Sequence, residues 1–177
     1  MLQENAQQQA VNVLDLLRLR LRMKMSKIII GCDPDSNKSG ISTYINGRLA
    51  DLTCLSLIDI YFHFDDLCIR FEPSEIELHI ENLNGISSNA FNVNRKDTLP
   101  VKLKKAQNVG QCKQVQTEIE RIAEHFGIKV VKHQVSKMWK DSATGKAVLK
   151  DLGWTGQSNE DSRSAAYFGY LGVKQSK

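Results

Sequence analysis

The stretch Lys27-Ile28-Ile29-Ile30-Gly31-Cys32-Asp33-Pro34-Asp35 constrains the fold more than any other. Its apolar run is long enough for a strand buried on both faces and too short for an ordinary helix. Such a strand is central, so the rest of the domain is built outward from it. Pro34 ends the regular hydrogen bonding and biases Asp33 towards extended backbone. A carboxylate at the tip of a central strand is held rigidly while the tip stays open, which suits chemistry. Asp33 and Asp35 equally suit the start of a plain turn.

Beyond this strand the chain reads as a meander. Ser36 to Gly40 is a turn, Gly40–Ile45 a second strand, and Asn46-Gly47 a hairpin signal, because a type I′ turn needs positive φ at both central positions. Arg48–Ser56 is the returning strand. A helix is expected over Ile60–Phe71, stopped by Glu72-Pro73. Ile76-Glu77-Leu78-His79-Ile80-Glu81 alternates, with Ile76, Leu78 and Ile80 on one face and the polar residues on the other. Glu81 ends that strand as Asp33 ends the first. Ligands gather beyond the carboxyl ends of parallel strands, so the two carboxylates converge if these strands are neighbours. Otherwise Glu81 decorates a loop mouth.

Leu83 to Leu99 is a long polar loop with Phe91 as its only aromatic, and loops of that length in a compact domain are commonly functional. The basic stretch Val101–Lys105 precedes a long helix, with a start at Asn108-Val109-Gly110 and Val109, Val115, Ile119, Ile122 and Phe126 on one face. Gly127 closes it, Ile128–Val135 is the next strand, and Ser136–Lys140 leads into another helix. Trp139 reads as a core residue. In the last helix Ser158 and Asp161 have capping-box spacing. Glu160 and Asp161 are then either good helix-start residues or a further metal-binding pair at the open end of the sheet.

Length and composition fit one soluble domain over residues 25–177; the net charge of +4 permits a nucleic-acid partner without requiring one. The four cysteines are far apart, which fits a reducing cytosol and argues against zinc or disulfides. No stretch approaches a membrane span. Residues 1–24 differ: a Gln-rich start gives way to an apolar–basic run, Leu17 to Lys24. They read as an appendage to the domain, with a basic nucleic-acid arm, a partner surface or a targeting peptide as alternatives.

The order of these elements, Ile-Ile-Gly-Cys-Asp-Pro-Asp with a following Ser-Gly-Ile, the strand-end Glu81, Val135–Lys140 and Arg163-Ser164-Ala165-Ala166 together resemble the RuvC-type Holliday junction resolvases of the ribonuclease H-like superfamily. The resemblance covers roughly Lys27 to Leu171 and is nearest to divergent, phage-borne members. It implies an α/β ribonuclease H-like fold: a mixed five-stranded sheet, three strands as an antiparallel meander plus parallel strands, flanked by helices. It implies a homodimer that cuts four-way DNA junctions with two Mg²⁺ or Mn²⁺ ions in the cytoplasm of a bacterium or phage-infected cell. By position Asp33 is the first carboxylate and Glu81 the second. The family ends with two ligands three residues apart at the start of the last helix. Here Asp161 can be the first, but Ser164 stands at the second, and counting from Glu160 reaches Arg163, which cannot bind a cation. Either Glu160 and Asp161 share the duty or one ligand is missing. An aromatic expected soon after Glu81 is also absent.

Three or four carboxylates from separate segments form an oxygen cage for a hard cation. Two such ions can activate water and stabilise the leaving oxygen of a phosphodiester. Arg95, Lys96, Lys102, Lys104 and Lys105 are the expected phosphate contacts, a solvated basic face being the plain alternative for each. The rival functions are a nuclease for other branched DNA or RNA–DNA substrates and a non-catalytic junction-binding protein.

Overall fold

In the computed structural model, which describes residues 26–86 and 96–176, β1 (Ile28–Asp33) is buried along its whole length. On one side it pairs antiparallel with β2 (Ser39–Ile45), which turns through Asn46 and Gly47, both at positive φ, into antiparallel β3 (Arg48–Leu55). On the other side it pairs parallel with β4 (Ile76–Glu81), which pairs parallel with β5 (Lys129–His133). The sheet therefore has five strands in the order β3-β2-β1-β4-β5. The expected mixed sheet is present, and the first strand sits at its centre.

Alternation sorts the side chains. Ile28, Ile30, Cys32, Ile41, Ile76, Leu78 and Ile80 meet α1 (Leu57–Arg70) and α2 (Leu99–His125) through Ile60, Phe64, Leu67, Ile119 and Ala123. The opposite face lies under α4 (Glu160–Gln175), whose buried side is mostly small. Ser42 and Tyr44 donate to the Ala165 and Ala166 carbonyls at 2.9 and 2.8 Å. A methyl group at Gly31 would run into the Ala165 carbonyl and the Gly169 amide, so β1 needs glycine where the last helix crosses it. Trp139 is buried with Leu52, Leu149 and Ala166, as a core residue.

Helix starts differ from expectation where caps decide them. α1 begins at Leu57, not Ile60, because Ser56 and Asp59 form a reciprocal capping box. α2 begins at Leu99, not Asn108: Pro100 suits the first turn, and the basic stretch is already helical. Its apolar face packs from Val115 onward; Val109 lies outside the core. Ser136–Lys140 stays a turn, and α3 (Ser142–Asp151) waits for Asp141, whose Oδ1 accepts from the amides of Ala143 and Thr144. The cap of α4 is Asn159 with Ser162, not Ser158 with Asp161. Residues 1–25, and with them the N-terminal extension, lie outside the described residues, as do Phe91 and Arg95.

Candidate active site

Because β1 and β4 are parallel neighbours, with Cys32 opposite Ile80, their terminal carboxylates emerge side by side on the face covered by α4. Asp33 is 4% exposed and Glu81 2%. The Ser136 amide donates to Glu81 Oε1 at 3.1 Å. Lys140 Nζ lies 3.0 Å from Asp33 Oδ2 and 3.8 Å from Glu81 Oε2. Lys140 thus pairs with Asp33, whose buried Oδ2 it neutralises.

Burial, followed by the Asp33 charge, pushes the Glu81 carboxyl up to about 8, against the opposing pull of Lys140 and the Ser136 amide. Lys140 is raised: burial alone would lower it, but Asp33 and Glu81 together outweigh that. Asp161 also lies above the ordinary carboxylate range, first through burial and then through Asp33 and Asp35. Its helix start packs on β2, where a side chain at Gly40 would strike the Asp161 carbonyl. Asp33, Glu81 and Asp161 thus share one electrostatic neighbourhood at the carboxyl end of the sheet. Glu160 stands exposed at its rim and contributes its charge to both Lys140 and Asp161. Among the described residues no three acidic, His or Cys side chains stand as a ready metal cage.

Ser164, at the position where the resemblance expects a second ligand, is fully buried, and its Oγ has no hydrogen-bond partner among the described residues. Lys102, Lys104 and Lys105 project from the first turns of α2, with Lys96 just before them. Lys105 pairs with Asp97 at 2.7 Å.

Sequence reasoning missed Lys140, Arg163 and a histidine pair. His79 Nδ1 lies 2.8 Å from His133 Nε2 beneath α4, and burial lowers both rings. Alternation along β4 does put His79 with Glu81, but on a face that reads as solvated; only the packing of α4 buries it. Nothing in the spacing of Val135–Lys140 announces that the turn returns Lys140 to the strand ends.

No family profile and no curated protein matches the chain. Solved structures do, among them two of RuvC. T. thermophilus RuvC in complex with Holliday junction substrate has a TM-score of 0.52 and 15% identity, over 84% of this chain and 95% of that one. The second, a Thermus thermophilus RuvC structure, has a TM-score of 0.45 and 12% identity, over 82% and 97%. At such identity the likeness is one of architecture, and together with the five-stranded mixed sheet it establishes that this chain has the RuvC-type, ribonuclease H-like fold.

Proposed function

We propose that the chain is a divalent-metal-dependent endonuclease that cuts four-way DNA junctions, akin to divergent phage-type resolvases. The observation that carries this reading is the pair of buried carboxylates, Asp33 and Glu81, at adjacent strand ends with Asp161 beside them. Burying like charges together is costly unless a cation compensates. Lys140 compensates only one of these charges, and the donors are hard oxygens, so the residues fit Mg²⁺ or Mn²⁺. Asp33, Glu81 and Asp161 would hold it, with Glu160 reaching in from the rim. Bound there, the ion would supply an activated water for attack on the phosphodiester.

The chain's own residues do the rest. The Ser136 amide fixes the Glu81 carboxylate, and β1 fixes Asp33. The Lys140 ammonium sits where it neutralises both carboxylates and can meet a phosphate oxygen. Lys96, Lys102, Lys104, Lys105 and Arg95 are the proposed phosphate contacts, worth mainly non-specific affinity.

A homodimer is the assembly we favour. Leu99, Leu103, Ala106 and Gly110 form one stripe of α2, all exposed, with Leu99 at 68% and Leu103 at 62%. On α1, Ile58, Phe62 and Ile69 form another, at 61%, 59% and 66%. Lysines flank the first stripe; Asp65 lies within the second, with Asp59 and Asp66 beside it. Two such complementary faces on one chain suit pairing with a second copy.

Cleavage of a synthetic four-way junction with Mg²⁺, beside linear duplex and RNA–DNA hybrid, is the test. The junction should be cut in preference, and Asp33→Asn should abolish cutting while binding survives, because affinity comes from phosphate contacts elsewhere. Cutting of the hybrid or another branched form instead would move the substrate class. The buried, unsatisfied Ser164 favours a second reading, a junction binder that does not cut, and metal-dependent cleavage would exclude it.

A further inference from the structure

Arg163 is 6% exposed near the start of α4, a position where an arginine neither binds a cation nor meets solvent. No acidic side chain pairs with it among the described residues; its guanidinium is spent on backbone. Nε donates to the Trp139 carbonyl at 3.2 Å, a terminal nitrogen to the Lys140 carbonyl at 2.6 Å, and the other to the Ser158 carbonyl at 3.2 Å. The planar fork of arginine suits several fixed acceptors at once, which a lysine cannot match.

What it grips is an unfavourable piece of chain. Trp139 has φ of +63°, a left-handed conformation rare for a bulky side chain. α3 closes the same turn from the other side, where any side chain at Gly145 would strike the Trp139 carbonyl and the Arg163 stem. The residue immediately after this strained position is Lys140, whose side chain runs back to Asp33 and Glu81. The third acceptor, Ser158, lies just ahead of Glu160 and Asp161. One buried guanidinium thus ties the lysine-bearing turn to the start of the acid-bearing helix.

We infer that Arg163 is a positioning residue: it holds the Trp139–Lys140 turn so that the Lys140 ammonium stays on the Asp33–Glu81 pair. The inference rests on the nuclease reading for its effect on rate, but not for its geometry. It explains why the position that counts as a ligand from Glu160 is basic here: the residue faces the supporting turn, not the ion.

Two measurements on the full chain test it. In the first, surface amines are labelled with limiting acetic anhydride and the modification of Lys140 is read by mass spectrometry against Lys104. In Arg163→Gln, and less in Arg163→Lys, Lys140 should label several-fold faster than in wild type, while the melting curve stays cooperative. In the second, single-turnover cleavage follows Arg163→Gln, Lys140→Met and the double variant. Displacing a catalytic group by about an ångström costs up to ~10²-fold. Arg163→Gln should therefore lose about that much with junction affinity unchanged, and should cost little further in the Lys140→Met background. Unchanged Lys140 labelling in folded Arg163→Gln and Arg163→Lys, or additive losses in the double variant, overturns the inference. A wild-type chain that cuts nothing overturns the nuclease reading instead, and the labelling still decides whether Arg163 holds Lys140.

Discussion

Two carboxylates and one ammonium lie beneath a helix where water barely reaches, so one carboxylate relieves the excess negative charge by keeping a proton. The sign of the consequence is fixed by Glu81. Its folded-state carboxyl titrates at about 8, above the ordinary value of 4.5, so the folded chain holds a proton that the unfolded chain releases. That contribution to stability is complete below the unfolded value and is lost as pH rises through the folded one. Asp161 shifts in the same direction. The melting temperature of the metal-free protein should therefore fall between about pH 5 and about pH 8. Saturating Mg²⁺ should raise it more at the upper end than the lower, since a cation binds the deprotonated form. Glu81→Gln should flatten the pH profile and the Mg²⁺ response together. A level profile in the wild-type chain, read by calorimetry without metal, would contradict this account of the site.

Among the elements, β1 and α4 pack backbone against backbone, and Gly31 is what permits it. Gly31→Ala should cost about 2–3 kcal/mol, as overpacking of a tight core does. Urea denaturation reads this directly, and a near-neutral result would mean that α4 can lift without loss. The same contact separates what is legible in the sequence from what is not. β1, the Asn46-Gly47 hairpin and the alternation of β4 are local signals, each written in residues adjacent along the chain, and all three appear as expected. Asp33 meets Glu81 because β1 and β4 are neighbours, a condition that the local patterns leave open. Helix starts depart from the sequence pattern wherever the deciding bond is a cap: Ser56 with Asp59, Asp141 with two amides, Asn159 with Ser162. Lys140 and Arg163 are illegible for a different reason. Their roles depend on a left-handed Trp139 and on backbone acceptors in a distant turn, and neither leaves a trace in residue type or spacing.

For the whole molecule, the outward stripe of α2 sets the next test. α2 runs 27 residues, about 40 Å at the usual rise, yet only its part from Val115 onward packs on the core. Leu99→Asp combined with Leu103→Asp should convert a dimer to a monomer in sedimentation equilibrium while leaving the melting temperature of the domain nearly unchanged. A wild-type chain that is monomeric at micromolar concentration would remove the dimer from the proposal. The topology also sets an order of birth. The central strand is made well before the helix that covers one of its faces: Ser42 waits for Ala165 across 123 positions. Until α4 leaves the ribosome, Ile29 and its neighbours on that face have no cover, and the growing chain carries an open, sticky sheet. A product released early, short of α4, would lack both its lid and Asp161. The nascent protein thus exposes an aggregation-prone face before its carboxylate site is complete, and α4 ends both conditions.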